Sequence, residues 1–550
     1  MNRSPLELLT AVFCMFALAP ASLAQGSGAR PSAQTETRQP NQRSNVSQTF
    51  QLPQVPIQQF QLQNGLRVVM SEDHSVPVVS VAVYYNTGSR NERTGRTGFA
   101  HLFEHMMFQG SENVPKAGHF QFISNAGGTM NGTTTSERTN YFETLPANQL
   151  PLAIWLESDR MRSLKVTQEN LDNQREAVKE EKRLRIDNQP YVPAFLRIDE
   201  LIFKNPANAH STIGSMEDLD EATVADVQEF FRIYYAPNNA VLTIVGDFDP
   251  TETRSLVERY FATIPRQQDP PSVDVSEPSE VAQRQDTYND PHAPAPAFVI
   301  GWKLPPRRTP DYYPLSLAFD LLTEGESSRL YQKLVKGEES VVQIQGGIDE
   351  RRGPSAGFIF ALPKPGTEVA QIRRTIMSEI KRLATEGPTA EEMEKLRNNL
   401  LNDSVRSRQS SLFRAQQIAE YALYDNDPTL FNTELDRYLN VTAQQIRDAA
   451  ARYLDTDNRV VLDIVPAHST SPGANGASQP AHPPASAQPS GSNQPGAPPP
   501  TVPQRPPAQP QQPTQAPATP VQPQPPRPEQ PQQPADPPSQ TQPGTQPPRA

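Results

Sequence analysis

This sequence predicts an α+β fold built from two duplicated domains, each a mostly antiparallel sheet with helices packed on it. Three observations predict it. Strand-like and helix-like segments follow one another without a regular βαβ alternation. Thr223, Tyr234 and Asn239, which lead into a strand at 241–245, recur as Thr442, Tyr453 and Asn458 before a strand at 460–465, each displaced by 219 residues. At 550 residues the chain also has room for more than one hydrophobic core.

At the N-terminus, Met1-Asn2-Arg3 gives a positive start and residues 8–18 are mostly apolar. Ala21-Ser22-Leu23-Ala24 then places small residues at minus three and minus one of a cut after Ala24. That is the pattern of a secretory signal at 1–24, and the run is shorter than the roughly 20 apolar residues of a membrane span. An exported, periplasmic location is expected, with no membrane span once the leader is removed. The only cysteine, Cys14, lies in the leader, so neither a disulfide nor a thiol metal ligand is expected in the mature chain. Residues 25–50, rich in Gln, Ser and Arg, read as a flexible lead-in.

A first domain is expected over 51–265. Asn64-Gly65 signals a turn, 66–70 a strand, and the β-branched run 78–85 a second strand after Pro77. The spacing turns helical over 97–108, with further helices predicted at 150–162, 168–185 and 224–235. Pro, Ser and Asp without periodicity make 266–295 an interdomain linker. The second domain, 296–466, opens with a strand at 297–302 and continues through helices near 313–322, 369–384, 390–408 and 412–421. Residues 467–550 hold roughly half of the 59 prolines among Gln, Ala and Ser, too little apolar surface to offset chain entropy, and are expected to be a disordered tail. The net charge of −11 gives no support to nucleic-acid binding.

The chemistry is concentrated in Gly98-Phe99-Ala100-His101-Leu102-Phe103-Glu104-His105-Met106-Met107-Phe108. On a helix, His101 and His105 are four apart and share a face, so their imidazoles can converge on one ion. Glu104 lies on the same side, within reach of a water at that ion. Zinc suits nitrogen ligands, three protein donors and an open fourth position. A lone histidine on an apolar helix is usually a satisfied core residue. Two of eight histidines at metal-ligand spacing with a glutamate between them are harder to dismiss.

His101 to His105 is an H-x-x-E-H motif, and with its surroundings the chain resembles the pitrilysin/insulinase family of inverzincin metallopeptidases. Leu62-Gln63-Asn64-Gly65-Leu66-Arg67-Val68 is similar to the family's opening, and so is Gly88-Ser89-Arg90-Asn91-Glu92 before the helix. Tyr235-Ala236-Pro237-Asn238-Asn239-Ala240, leading to Gly246-Asp247, also fits. The likeness covers about residues 55–466 and is nearest the two-domain bacterial branch similar to mitochondrial processing peptidase.

The resemblance implies a zinc endopeptidase with one Zn2+ per chain, the two domains forming half of a clamshell chamber and only the first carrying metal. It implies His101, His105 and Glu181 as ligands, Glu181 lying 76 positions past His105, with adjacent Glu180 the competing choice. It makes Glu104 the catalytic base, and Asn131, Gly132 and Thr133 part of an edge strand that takes an extended peptide substrate. The plainer alternatives are a solvated helix face around Glu181 and a Gly-rich hairpin at 127–134.

Two family positions are unfilled. The glutamate seven residues before the third ligand is Gln174, which keeps a hydrogen-bonding side chain. The Arg/Tyr pair that holds substrate in the second domain falls on Val335 and Val342, with Arg329 and Tyr331 as local substitutes to consider. The expected partner is therefore a second family subunit carrying Arg and Tyr, or a second copy of this chain. The competing expectation is a non-catalytic peptide-binding or structural subunit of the same fold.

Overall fold

The computed structural model describes residues 52–467. The expected leader and lead-in, and the tail from 468 onward, lie outside the described residues. The first sheet contains β1 (Gln58–Gln61), β2 (Arg67–Glu72), β3 (Val78–Tyr85), β4 (Thr129–Thr134), β5 (Thr139–Pro146) and β6 (Ala240–Gly246). Their order is β1-β2-β6-β3-β5-β4, antiparallel except for the β2–β6 pair.

The second sheet contains β7 (Gln285–Asp290), β8 (Ala297–Leu304), β9 (Val341–Asp349), β10 (Ser355–Pro363) and β11 (Arg459–Pro466), in the order β7-β11-β8-β10-β9. Its one parallel pair is β7–β11. Strand for strand this repeats β2-β6-β3-β5-β4, so the duplication read from the 219-residue offset extends to the whole sheet. The stretch read as a linker, 266–295, contains β7. In QDTYND only Asp290 is fully buried, so this edge strand lacks the apolar alternation that marks strands in a sequence.

Seven helices matter here: α1 (Phe99–Met106), α2 (Leu150–Arg162), α3 (Gln168–Lys182), α4 (Val192–Ile202), α5 (Tyr312–Thr323), α6 (Val369–Glu386) and α7 (Ser411–Tyr424). Alternate residues of a strand face opposite sides of its sheet. One face of the first sheet, with Val79, Val81, Val83 and Ile244, packs on Leu102, Phe103 and Met106 of α1 and Ile154 of α2. The other face, with Val69, Ala82, Tyr84, Val241 and Val245, is covered by Ala415, Ile418, Ala419 and Ala422 of α7. Helix α7 comes from the C-terminal half of the chain.

The exchange is mutual. Helix α4 lies on the second sheet, with Phe195 against Phe358 and Phe360 of β10. Gly301 of β8 lets it approach, since a Cβ there would sit 3.0 Å from Ile202 and 3.1 Å from Ile198. The opposite face, with Phe298, Ile300 and Trp302, packs on α5 and α6. Each half thus lends a helix to the other's sheet, and both sheets belong to one compact unit.

Candidate metal centre

Helix α1 begins at Gly98, in the left-handed region at φ 85°, with no side-chain cap of its own. Glu92 supplies the missing acceptors. Its carboxylate takes the Gly98 N–H at 2.9 Å and the Ala100 N–H at 2.8 Å, satisfying donors every helix start leaves open. His210 donates to the same carboxylate through Nε2 at 3.0 Å and bonds the Pro206 carbonyl through Nδ1 at 2.7 Å. Leu102, Phe103 and Met106 are buried, which turns His101 and His105 toward α3.

On α3, Leu171 and Val178 are buried and Glu181 faces the two imidazoles. Glu181 Oε2 lies 3.4 Å from His101 Nε2 and 3.2 Å from His105 Nε2. A carboxylate oxygen 3.2 and 3.4 Å from the two nitrogens suits tetrahedral bonds of ~2.0–2.1 Å, so the nitrogen–nitrogen–oxygen set fits zinc and leaves a position open. Among the described residues this is the one such grouping of three His, Cys, Asp or Glu side chains. Neighbouring Glu180 is exposed and pairs with Arg183 at 3.1 Å. The helix predicted at 168–185 passes into a π-helical turn, Arg183–Asp187, and there Arg185 reaches back to Glu181 Oε1 at 3.0 Å.

The electrostatics favour a cation. Hydrogen bonds from His101 and then His105, with the Arg185 charge adding, hold the Glu181 carboxyl well below the usual carboxylate range against the effect of burial. Burial opposes a charged His101, but the Glu181 bond and the charges of Glu104, Glu181 and Glu92 raise its pKa above the ordinary value. His105 Nδ1 faces Gln174 Oε1 at 3.3 Å. An amide oxygen only accepts, so Nδ1 donates in this contact, while Nε2 is the ring atom turned toward Glu181 and would give up any proton of its own on ligating an ion.

Glu104 is buried on α1, its Oε2 3.7 Å from His101 Nδ1. The hydroxyl of Thr134 donates to that oxygen at 2.6 Å. Thr134 ends β4, which pairs with β5 alone, so the strand's other edge is free of partners among the described residues. On β4, Asn131 is exposed, Gly132 is buried beside Glu104, and Thr133 is half-buried and bonded to Asn140 at 2.6 Å.

In the second half, Val335 is half-buried and Val342 exposed. The suggested substitute Arg329 is taken: it grips Glu392 through two 2.7 Å bonds and donates to the Gly387 carbonyl. Tyr331 packs against the second core. Sequence reasoning assigned no role to Glu92, Thr134, Arg185 or His210. The signals were an acid before a glycine-led helix and a threonine two places after Gly132, hence on the same strand face.

A family model described as Insulinase (Peptidase family M16) matches residues 67–209, and one described as Peptidase M16 inactive domain matches residues 221–400. The zinc protease PqqE of Helicobacter pylori is 27% identical over 406 residues, 73% of this chain and 91% of that protein. The beta subunit of mitochondrial-processing peptidase from Blastocladiella emersonii is 26% identical over 205 residues, 37% of this chain and 44% of that one. The crystal structure of a protease from Helicobacter pylori aligns with a TM-score of 0.72 at 25% identity, over 75% of this chain and 100% of that chain.

Proposed function

The chain belongs to the pitrilysin/insulinase family of peptidases, and from that premise we propose that it is an exported zinc-dependent endopeptidase acting on extended peptides or unfolded segments. One observation carries the reading: two imidazole nitrogens and a carboxylate oxygen converge beside a second, separately held carboxylate.

His101, His105 and Glu181 would hold one zinc ion. Zinc there supplies the charge that makes a water acidic and polarises a scissile carbonyl. Gln174 orients His105, and Arg185 occupies the outer oxygen of Glu181 so that Oε2 faces the ion. Glu104 has Oε2 committed to Thr134, and Oε1 remains to take a proton from the attacking water and pass it to the leaving amine. Asn131, Gly132 and Thr133 lie on the open edge strand, where a peptide backbone can add by hydrogen bonding with broad sequence tolerance.

Val335 and Val342 favour a second reading alongside this one, since neither side chain can donate to a carbonyl or oxyanion. On that second reading a partner subunit bringing Arg and Tyr would complete the site, and a chain with no such partner would be a non-catalytic peptide-binding subunit. Purified mature chain is expected to hydrolyse a quenched fluorescent peptide library, to stop on chelation, and to resume when zinc is restored. Silence from a folded, zinc-loaded sample would contradict an enzyme active alone and support the partner or the scaffold reading.

A further inference from the structure

We propose that Thr134 is a positioning residue for Glu104, and that β4 thereby holds both the substrate backbone and the base. The role rests on the peptidase reading, but the contact behind it does not.

The hydroxyl geometry has one direction. Thr134 Oγ1 lies 2.6 Å from Glu104 Oε2 and 3.5 Å from Thr139 Oγ1. Thr139 is buried and donates its own proton to the Thr87 carbonyl at 3.0 Å. Both oxygens could accept from Thr134, but the carboxylate is nearer by 0.9 Å (3.5 − 2.6). The Thr139 oxygen lies beyond a good O–H···O distance, so the Thr134 proton goes to the carboxylate in a short bond. It assigns the two Glu104 oxygens different work: Oε2 is anchored and Oε1 is the basic atom.

Two residues back, on the same strand face, Gly132 closes the space from the other side. A Cβ there would stand 3.2 Å from Glu104 Cγ and 3.2 Å from the Tyr141 ring. Glycine lets the acid lie flat against the strand, and the threonine fixes where its head comes to rest.

The holder is itself held. Thr134 pairs with Thr139 next to the β4–β5 turn, where Thr135 N–H bonds the Arg138 carbonyl at 2.9 Å. Within that turn Glu137 is buried, paired with Arg90, and accepts the backbone N–H of Arg352 at 3.0 Å. Arg352 lies in the β9–β10 turn, so the equivalent hairpin tips of the two halves meet there. The second half thus anchors the strand that carries the donor, although it holds no ligand of the cluster. A peptide added to the free edge of β4 would be registered on the strand that sets the base.

The test compares Thr134→Val, which keeps shape and loses the donor, with Thr134→Ser, which keeps the donor. With the full chain and a quenched fluorescent peptide, Thr134→Val is expected to lower kcat about 10- to 100-fold through misplacement of the base. KM and bound zinc should stay unchanged, and Thr134→Ser should restore most of the rate. Wild-type kcat in Thr134→Val, or equal loss in both variants, would overturn the role. A double-mutant cycle on Tm reads the contact without activity: Thr134→Val should lower Tm in the wild type but not in Glu104→Ala. Equal shifts in both backgrounds would overturn the contact. Coupling in a chain that cleaves nothing would uphold the contact while the peptidase reading failed.

Discussion

The two halves share a sheet topology and differ in the helix that succeeds the central strand. After β3 comes α1, whose apolar stripe is interrupted by His101 and His105 on a partly open face. After β8, in the same topological place, comes α5, buried along nearly its whole length and without a histidine. The helices 390–408, 430–439 and 443–449 pack against α5, which among the described residues contributes to no grouping of metal-ligating side chains. A duplicated scaffold does not carry chemistry by itself; a helix face must be left open and furnished with donors. The exchange of α4 and α7 adds that the halves are not two separable bodies, since each sheet is half covered by the other's helix.

The largest effect that could break this comparison is on stability. Ile418 of α7 is fully buried on the first sheet although it belongs to the C-terminal half. Ile418→Ala is expected to cost about 2–5 kcal/mol. The chain's two tryptophans report the halves separately, Trp155 on the first and Trp302 on the second. In single-tryptophan variants both urea transitions should move together; a shift of the Trp155 signal alone would mean independently folding halves.

A smaller effect sharpens the contrast between the cores. His119 is buried in the first half, its Nε2 near the Leu156 carbonyl, and burial followed by the Arg160 charge lowers its pKa from 6.5 to about 3. The folded value lies below the unfolded one, so the stability that neutral His119 contributes is complete above pH 6.5 and is lost as pH falls toward 3. The slope from this group is at most about 1.4 kcal/mol per pH unit. His119→Gln should flatten the stability profile between about pH 6.5 and 4, measured by urea denaturation, and an unchanged slope would contradict the assignment.

The parts of the molecule readable from sequence are those whose geometry is local. His101, Glu104 and His105 sit at helical offsets that force proximity, and the helix-to-strand endings at Thr223 and Thr442 betray the repeat. Glu181 over Glu180 came from spacing in relatives, because two adjacent acids on a polar helix look alike without their partners. β7 looks like linker in the sequence because an edge strand with a single fully buried residue carries little pattern. β9 and β10 leave little trace in the sequence, because Gly346, Gly347 and Gly357 interrupt their alternation. The apolar stripe near 412–421 announces burial but not which sheet does the burying. Thr134 meeting Glu104 is a contact across 30 residues, visible only once β4 lies against α1.

Everything proposed for the site turns on the convergent donors holding zinc while Glu104 performs proton transfer. The most direct measurement is zinc content and peptide hydrolysis of Glu104→Gln beside wild type. Undiminished zinc with hydrolysis abolished is expected; persistent hydrolysis, or zinc lost along with it, would contradict that division of roles.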